Sequence, residues 1–122
     1  MRVLIADDQP QVRSALRLLL RQDPDMVVVG EAGDAEEALE LAATQAPDLV
    51  LLDWELPGQR NGATLAGLRT VQPGLKVIAL SGRPEARQAA LAAGADVFVS
   101  KGDPPEHLLA AVDDCRQAFQ YL

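Results

Sequence analysis

Short, nearly uninterrupted apolar runs recur along the chain at Val3–Ala6, Met26–Val29, Leu49–Leu52, Val77–Leu80 and Val97–Val99. Between them lie longer segments in which apolar residues return every three or four positions: Pro10–Arg21, Ala35–Gln45, Ala63–Val71, Pro84–Ala93 and Pro104–Tyr121. Strands that are apolar throughout are buried on both faces, so the pattern predicts a parallel sheet covered by helices. In the first helical segment Val12, Ala15, Leu16, Leu19 and Leu20 form one stripe, with Arg13, Arg17 and Arg21 off it. Asp34 and Glu37 have the spacing of a capping box, with aspartate in the usual Ser/Thr place. Gly94 follows the fourth helix, where a left-handed terminating residue is expected.

Five βα units thus follow one another, with no linker, solenoid repeat or low-complexity stretch between them. The alternation implies right-handed crossovers and an α/β, doubly wound (βα)5 architecture. In such sheets the ligand site lies just beyond the carboxyl ends of the strands. What each strand ends with therefore matters most.

The first strand runs into Asp7 and Asp8, the third into Asp53, the fourth into Ser81 and the fifth into Lys101. Adjacent carboxylates repel, and burying either one unpaired is costly. A hard divalent cation would make the cluster tolerable, and magnesium takes its ligands from one or two carboxylates, waters and phosphate oxygens. A further carboxylate beside the metal can attack phosphorus as a nucleophile. Lys101 and Ser81 would then meet the remaining phosphoryl oxygens, one by charge and one by hydrogen bond. Taken singly, each residue has a plainer role. Asp7 or Asp8 would cap the helix beginning near Pro10, and Asp53 would be a loop acid before Leu56-Pro57-Gly58. Ser81 would be a turn residue beside Gly82, and Lys101 a solvated charge. Four of the five units placing such residues at one edge is what favours the joint reading.

Composition narrows the classes. At 122 residues the chain is expected to be one domain with a sizeable core, 48% hydrophobic and 24% charged. A net charge of -7 without a basic cluster disfavours direct nucleic-acid binding. One cysteine, Cys115, allows neither an internal disulfide nor a zinc site, and its helical spacing from Leu108, Leu109, Val112 and Phe119 reads as core. His107 reads as a surface residue. No apolar stretch is long enough to span a bilayer and no signal peptide precedes the first strand, so a cytoplasmic location is expected.

The motifs LIADDQP, PDLVLLDWELPG, VIALSG and LAAGADVFVSK, in this order and spacing, carry a resemblance over essentially the full length. The sequence resembles the receiver domain of two-component response regulators. The resemblance implies a flavodoxin-like, CheY-like sheet in the order 2-1-3-4-5. It makes Asp53 the phosphoacceptor, working with Lys101 and Ser81. It places Mg2+ on Asp8 directly, on Asp7 largely through water, on Asp53, and on the backbone carbonyl of Glu55. Ser81 takes the place of the switch hydroxyl, and Phe98 that of an aromatic that turns inward when the hydroxyl engages the phosphoryl group. A histidine kinase would be the phosphoryl donor, with self-catalysed transfer and slow hydrolysis rather than metabolic turnover. The face made by the fourth helix, fifth strand and fifth helix would then change its affinity for an output domain or a second copy.

The opening helix, with VRSALRLLL, is similar to receivers that precede a helix-turn-helix domain of the NarL/LuxR type. Residues 1–122 are accordingly expected to form a receiver domain alone, with transcription regulated through an output domain absent from this chain. The family pattern is departed from in four places. Leu56 replaces a methionine, the loop GQRNG is one residue longer, Gly102 follows Lys101 so that no cis bond is expected, and Glu55 adds a negative charge. Three rival readings remain at this level. One is a phosphorylation-independent interaction module. A flavin or nucleotide binder would need a Gly/Ser/Thr-rich loop where Asp7-Asp8-Gln9-Pro10 stands. A haloacid-dehalogenase-type phosphatase would carry its nucleophile after the first strand in a D-x-D pattern.

Overall fold

Apolar residues on both faces force a sheet into the middle of the molecule, and the computed structural model, which describes residues 1–120, has that layout. Strands β1 (Arg2–Ala6), β2 (Val27–Ala32), β3 (Leu49–Asp53), β4 (Lys76–Ser81) and β5 (Val97–Ser100) are all parallel, in the order β2-β1-β3-β4-β5. Helices α1 (Pro10–Leu20), α2 (Ala35–Gln45), α3 (Asn61–Val71), α4 (Arg87–Ala92) and α5 (Pro105–Gln120) connect and cover them. The predicted doubly wound order is the observed one.

The two-residue period of a strand divides the core into two layers. Leu4, Ala6, Val50, Leu52, Val77, Ala79 and Phe98 point to the side covered by α2, α3 and α4. Val3, Ile5, Leu49, Leu51, Ile78, Leu80 and Val99 point to the side closed by α1 and α5. Cys115 lies in this second layer beside Ala111 and Val112, as its spacing predicts, and His107 is exposed. The side chain of Phe119 and the predicted end of the last helix at Tyr121 lie outside the described residues.

Several boundaries differ from the pattern for local reasons. β2 is an edge strand: Val27 is 54% exposed, so its apolar run is not buried on both faces. It starts one residue later than predicted and continues through Gly30 and Glu31 to Ala32. At Gly30 a Cβ would meet Leu4 and Leu41 side-chain carbons at 3.3 Å, so the strand packs closely against both leucines there. α3 starts at Asn61, two residues before the predicted Ala63. The predicted helix from Pro84 is divided into a 3-10 turn, Pro84–Ala86, and the six-residue α4.

Helix ends follow the sequence signals closely. Asp34 Oδ1 accepts from Glu37 N at 2.9 Å, while Glu37 Oε1 accepts from Gly33 N rather than from the capping residue itself. Gly94, at φ +108°, ends α4: its N–H donates to Leu91 O, and Ala95 N–H donates to Ala90 O. That pair of bonds is a Schellman motif. No cis peptide bond occurs among the described residues, and none of their helices is long and apolar enough to cross a membrane.

Candidate functional site: an acidic pocket at the strand ends

The ladder brings the predicted residues to one edge. Asp53 pairs in register with Leu80, one position before Ser81, and Ser81 pairs with Ser100, one position before Lys101. Asp7 follows β1 immediately and is held by its own main chain, its N–H donating to Ala32 O at 2.9 Å. Lys101 N–H donates to Ser81 O at 2.8 Å, fixing the end of β5 against β4.

Asp7 is 1% exposed and Asp53 4%, whereas Asp8 faces solvent. One carboxylate oxygen from each of the three lies within 4.8 Å of the others. Asp7 Oδ1 accepts from Gln9 N at 2.9 Å, a local turn bond. The N-cap of α1 is Gln9 and has no side-chain cap bond, so neither aspartate caps that helix. Lys101 Nζ sits 2.7 Å from Asp7 Oδ2 and 3.4 Å from Asp53 Oδ1. Asp53 Oδ1 also accepts from Glu55 N at 3.0 Å.

The electrostatics follow from this crowding. Burial, the largest influence on Asp53, raises its pKa above the usual carboxylate range, and the Asp7 charge adds to the rise. The Glu55 N–H and Lys101 oppose that shift without cancelling it. For Lys101, desolvation acts downward, but the bond to Asp7 and the charges of Asp53 and Asp7 together outweigh it and raise its pKa. One ammonium thus meets two of the three clustered carboxyl groups. The donor set is all oxygen and carries excess negative charge, so these residues fit a hard divalent cation.

Ser81 reaches the same edge but is fully buried and already engaged. Its Oγ donates to the Glu55 carboxylate, 2.8 Å from Oε1 and 3.1 Å from Oε2, and accepts from Arg83 N at 3.0 Å. Phe98 is turned inward, 6% exposed, in the layer with Ala79, Ala86 and Ala90. Two contributions are absent from the sequence reading. One is the Glu55 side chain, considered there only as a carbonyl and a charge. The other is Arg13, whose guanidinium donates to Asp7 O at 2.7 Å and pairs with Glu31 of β2. Its place off the apolar stripe of α1 was the one available signal.

With this geometry in place, residues 3–113 match the family described as "Response regulator receiver domain", and the chain belongs to that family. It is 38% identical over 112 residues to the "Nitrate/nitrite response regulator protein NarL" of Escherichia coli (strain K12), covering 90% of this chain and 52% of that protein. The related NarP protein of the same organism is also 38% identical, and both support the NarL/LuxR-type subgroup. The chain spans about half the length of these relatives. Among solved structures, the receiver domain of AraT, a response regulator from Geobacillus stearothermophilus, superposes with a TM-score of 0.88 at 28% identity, covering 98% of this chain and 95% of that one. The isolated receiver domain of RcsB from Salmonella enterica serovar Typhimurium, in the presence of phosphomimetic BeF3-, gives 0.88 at 25% identity, covering 96% and 88%.

Proposed function

We propose that residues 1–122 form a receiver domain that works as a phosphorylation switch, with Asp53 as the phosphoacceptor. A carboxylate oxygen of Asp53 forms a P–O bond as the P–N bond of a histidine kinase's phosphoimidazole breaks, and the imidazole leaves with the bonding electrons. Asp7, Asp8, Asp53 and the backbone carbonyl of Glu55 would hold Mg2+, which when bound neutralises charge on the phosphoryl oxygens. Lys101 needs little movement to pass from Asp7 and Asp53 to a phosphoryl oxygen attached at Asp53. The buried Ser81 hydroxyl supplies one more hydrogen bond from the β4 side.

Drawing Ser81 and Lys101 toward the phosphoryl group shifts the turn before α4, against which Phe98 packs. The face made by α4, β5 and α5 then changes its affinity for an output domain or a second copy. A transcriptional output in the cytoplasm suits the NarL/LuxR-type relatives. The single observation that carries this reading is Asp53, buried at the strand end beside the Lys101 ammonium, with carboxylate oxygens of Asp7 and Asp8 within 4.8 Å. Intact mass after incubation with acetyl phosphate and magnesium tests it. One phosphoryl adduct is expected, lost with a chelator and in Asp53→Asn; an adduct that persists in Asp53→Asn overturns it.

A further inference from the structure

We propose that Glu55 is a positioning residue for this switch: its carboxylate competes with the phosphoryl group for the Ser81 hydroxyl. The inference rests on the phosphoacceptor reading of Asp53 and goes beyond it.

A serine hydroxyl has one hydrogen to donate. Ser81 gives it to Glu55, with both carboxylate oxygens in reach at 2.8 and 3.1 Å. A lone pair of the same oxygen is occupied by Arg83 N–H at 3.0 Å. Ser81 is 0% exposed, so solvent provides no substitute partner if that bond is broken. Glu55, by contrast, is on the exposed rim and reaches inward over the pocket. Its backbone is fixed to the acceptor itself, since Glu55 N–H donates to Asp53 Oδ1. The carboxylate therefore rests where an anion joined to Asp53 would have to meet Ser81.

Two anionic groups cannot both take the one hydroxyl hydrogen, and in this partly buried pocket they also repel. Phosphoryl engagement must first release Ser81 from Glu55, and the apparent affinity falls by the fraction of molecules in which Ser81 is free. Glu55 thus sets how readily the hydroxyl answers an anion at Asp53. The turn carrying Glu55 is closed by Leu56 N–H donating to Asp53 O at 3.1 Å.

The test titrates beryllofluoride, in the presence of magnesium, onto the wild-type chain, Glu55→Ala, Glu55→Gln, Ser81→Ala and the Glu55→Ala/Ser81→Ala double variant. Trp54, the single tryptophan and next to Asp53, reports binding by its fluorescence. Glu55→Ala should bind about three- to tenfold more tightly, the range of one hydrogen bond. Glu55→Gln, whose amide oxygen still accepts from Ser81, should gain less. In the Ser81→Ala background the Glu55→Ala gain should shrink to the part that repulsion alone contributes. Equal gains with and without Ser81 would assign the effect to charge alone and overturn the inference, as would no gain in either background. A folded wild-type chain that binds no beryllofluoride would overturn the phosphoacceptor reading, and the inference with it.

Discussion

Lys101 Nζ lies 2.7 Å from Asp7 Oδ2, joining residues 94 positions apart in the chain. Their strands are not neighbours: β3 and β4 separate β1 from β5. The side chain therefore arches over the strand ends and passes Asp53 on the way. Without a metal, this ammonium is the cation that makes the paired aspartates of the opening motif tolerable. An uncompensated buried carboxylate is costly, so the contact is more than a surface ion pair.

Replacing Lys101 with methionine leaves Asp7 and Asp53 facing each other uncompensated. In metal-free buffer Lys101→Met should lose about 1–3 kcal/mol of stability. Magnesium should return more stability to the variant than it adds to the wild type, because its charge replaces the lost one. Urea unfolding with and without magnesium measures this, and equal metal-dependent shifts would contradict it. The raised pKa of Lys101 fixes the alkaline side. The contribution of its charge is complete below the ordinary lysine pKa of about 10.4 and is lost as pH rises through the higher folded value.

Asp53 behaves in the opposite sense to a typical stabilising carboxylate. Its pKa is raised in the folded state, chiefly by burial, so the folded chain binds its proton more tightly than the unfolded chain does. Stability therefore falls as pH rises from the ordinary aspartate pKa of about 3.9 through the raised value. Above that window the ionised side chain is a fixed cost. Asp53→Asn should be more stable than wild type at neutral pH in metal-free buffer, and the difference should shrink on acidification through the window. A difference that stays constant or widens toward low pH would contradict this origin.

The loop after Asp53 is docked on α2, with Ala35 N–H donating to Pro57 O at 2.8 Å. Gly58 makes that approach possible. It has φ +110°, and a Cβ there would lie 3.2 Å from both Cβ and N of Ala35. Gly58→Ala should cost about 1–3 kcal/mol, through strain and displacement of the docked loop. Gly74→Ala, where nothing lies within 4 Å, is the control and should stay within about 0.5 kcal/mol of wild type. Urea midpoints for the two variants decide the matter.

Burial pushes the Cys115 thiol up to about 11, with the Asp96 charge adding to the rise. The thiolate is the reactive form, so the native thiol should resist iodoacetamide at pH 8. Modification should appear in step with unfolding as urea is raised. Rapid labelling of the native chain would show that the α5 face opens far more readily than its packing implies.

The legible part of this molecule was the part set by period and punctuation. β1, β3 and β4 are apolar on both faces because two helical layers cover them, and the pattern of their ends alone puts Asp7, Asp53 and Ser81 at one edge. Asp34, Glu37 and Gly94 announced helix ends through local bonding, which short-range sequence records well. Of the two edge strands, β2 was less legible, since Val27–Val29 has the composition of a buried strand but is partly exposed. The division before α4 depends on a single turn at Pro84–Ala86, finer than a helical period resolves. Glu55 on Ser81 and Arg13 on Asp7 O were invisible for a different reason. Each depends on the direction of one long side chain, and the first joins residues 26 positions apart.

The phosphoacceptor assignment is tested most directly by locating the adduct. After treatment with acetyl phosphate and magnesium, borohydride reduces an acyl phosphate to the alcohol, converting a phosphorylated aspartate to homoserine. Peptide sequencing by mass spectrometry then reads its position. Homoserine at position 53 alone, absent when magnesium is chelated, is the predicted result. Homoserine at position 7 or 8, or an adduct on another residue type that resists reduction, would contradict the account.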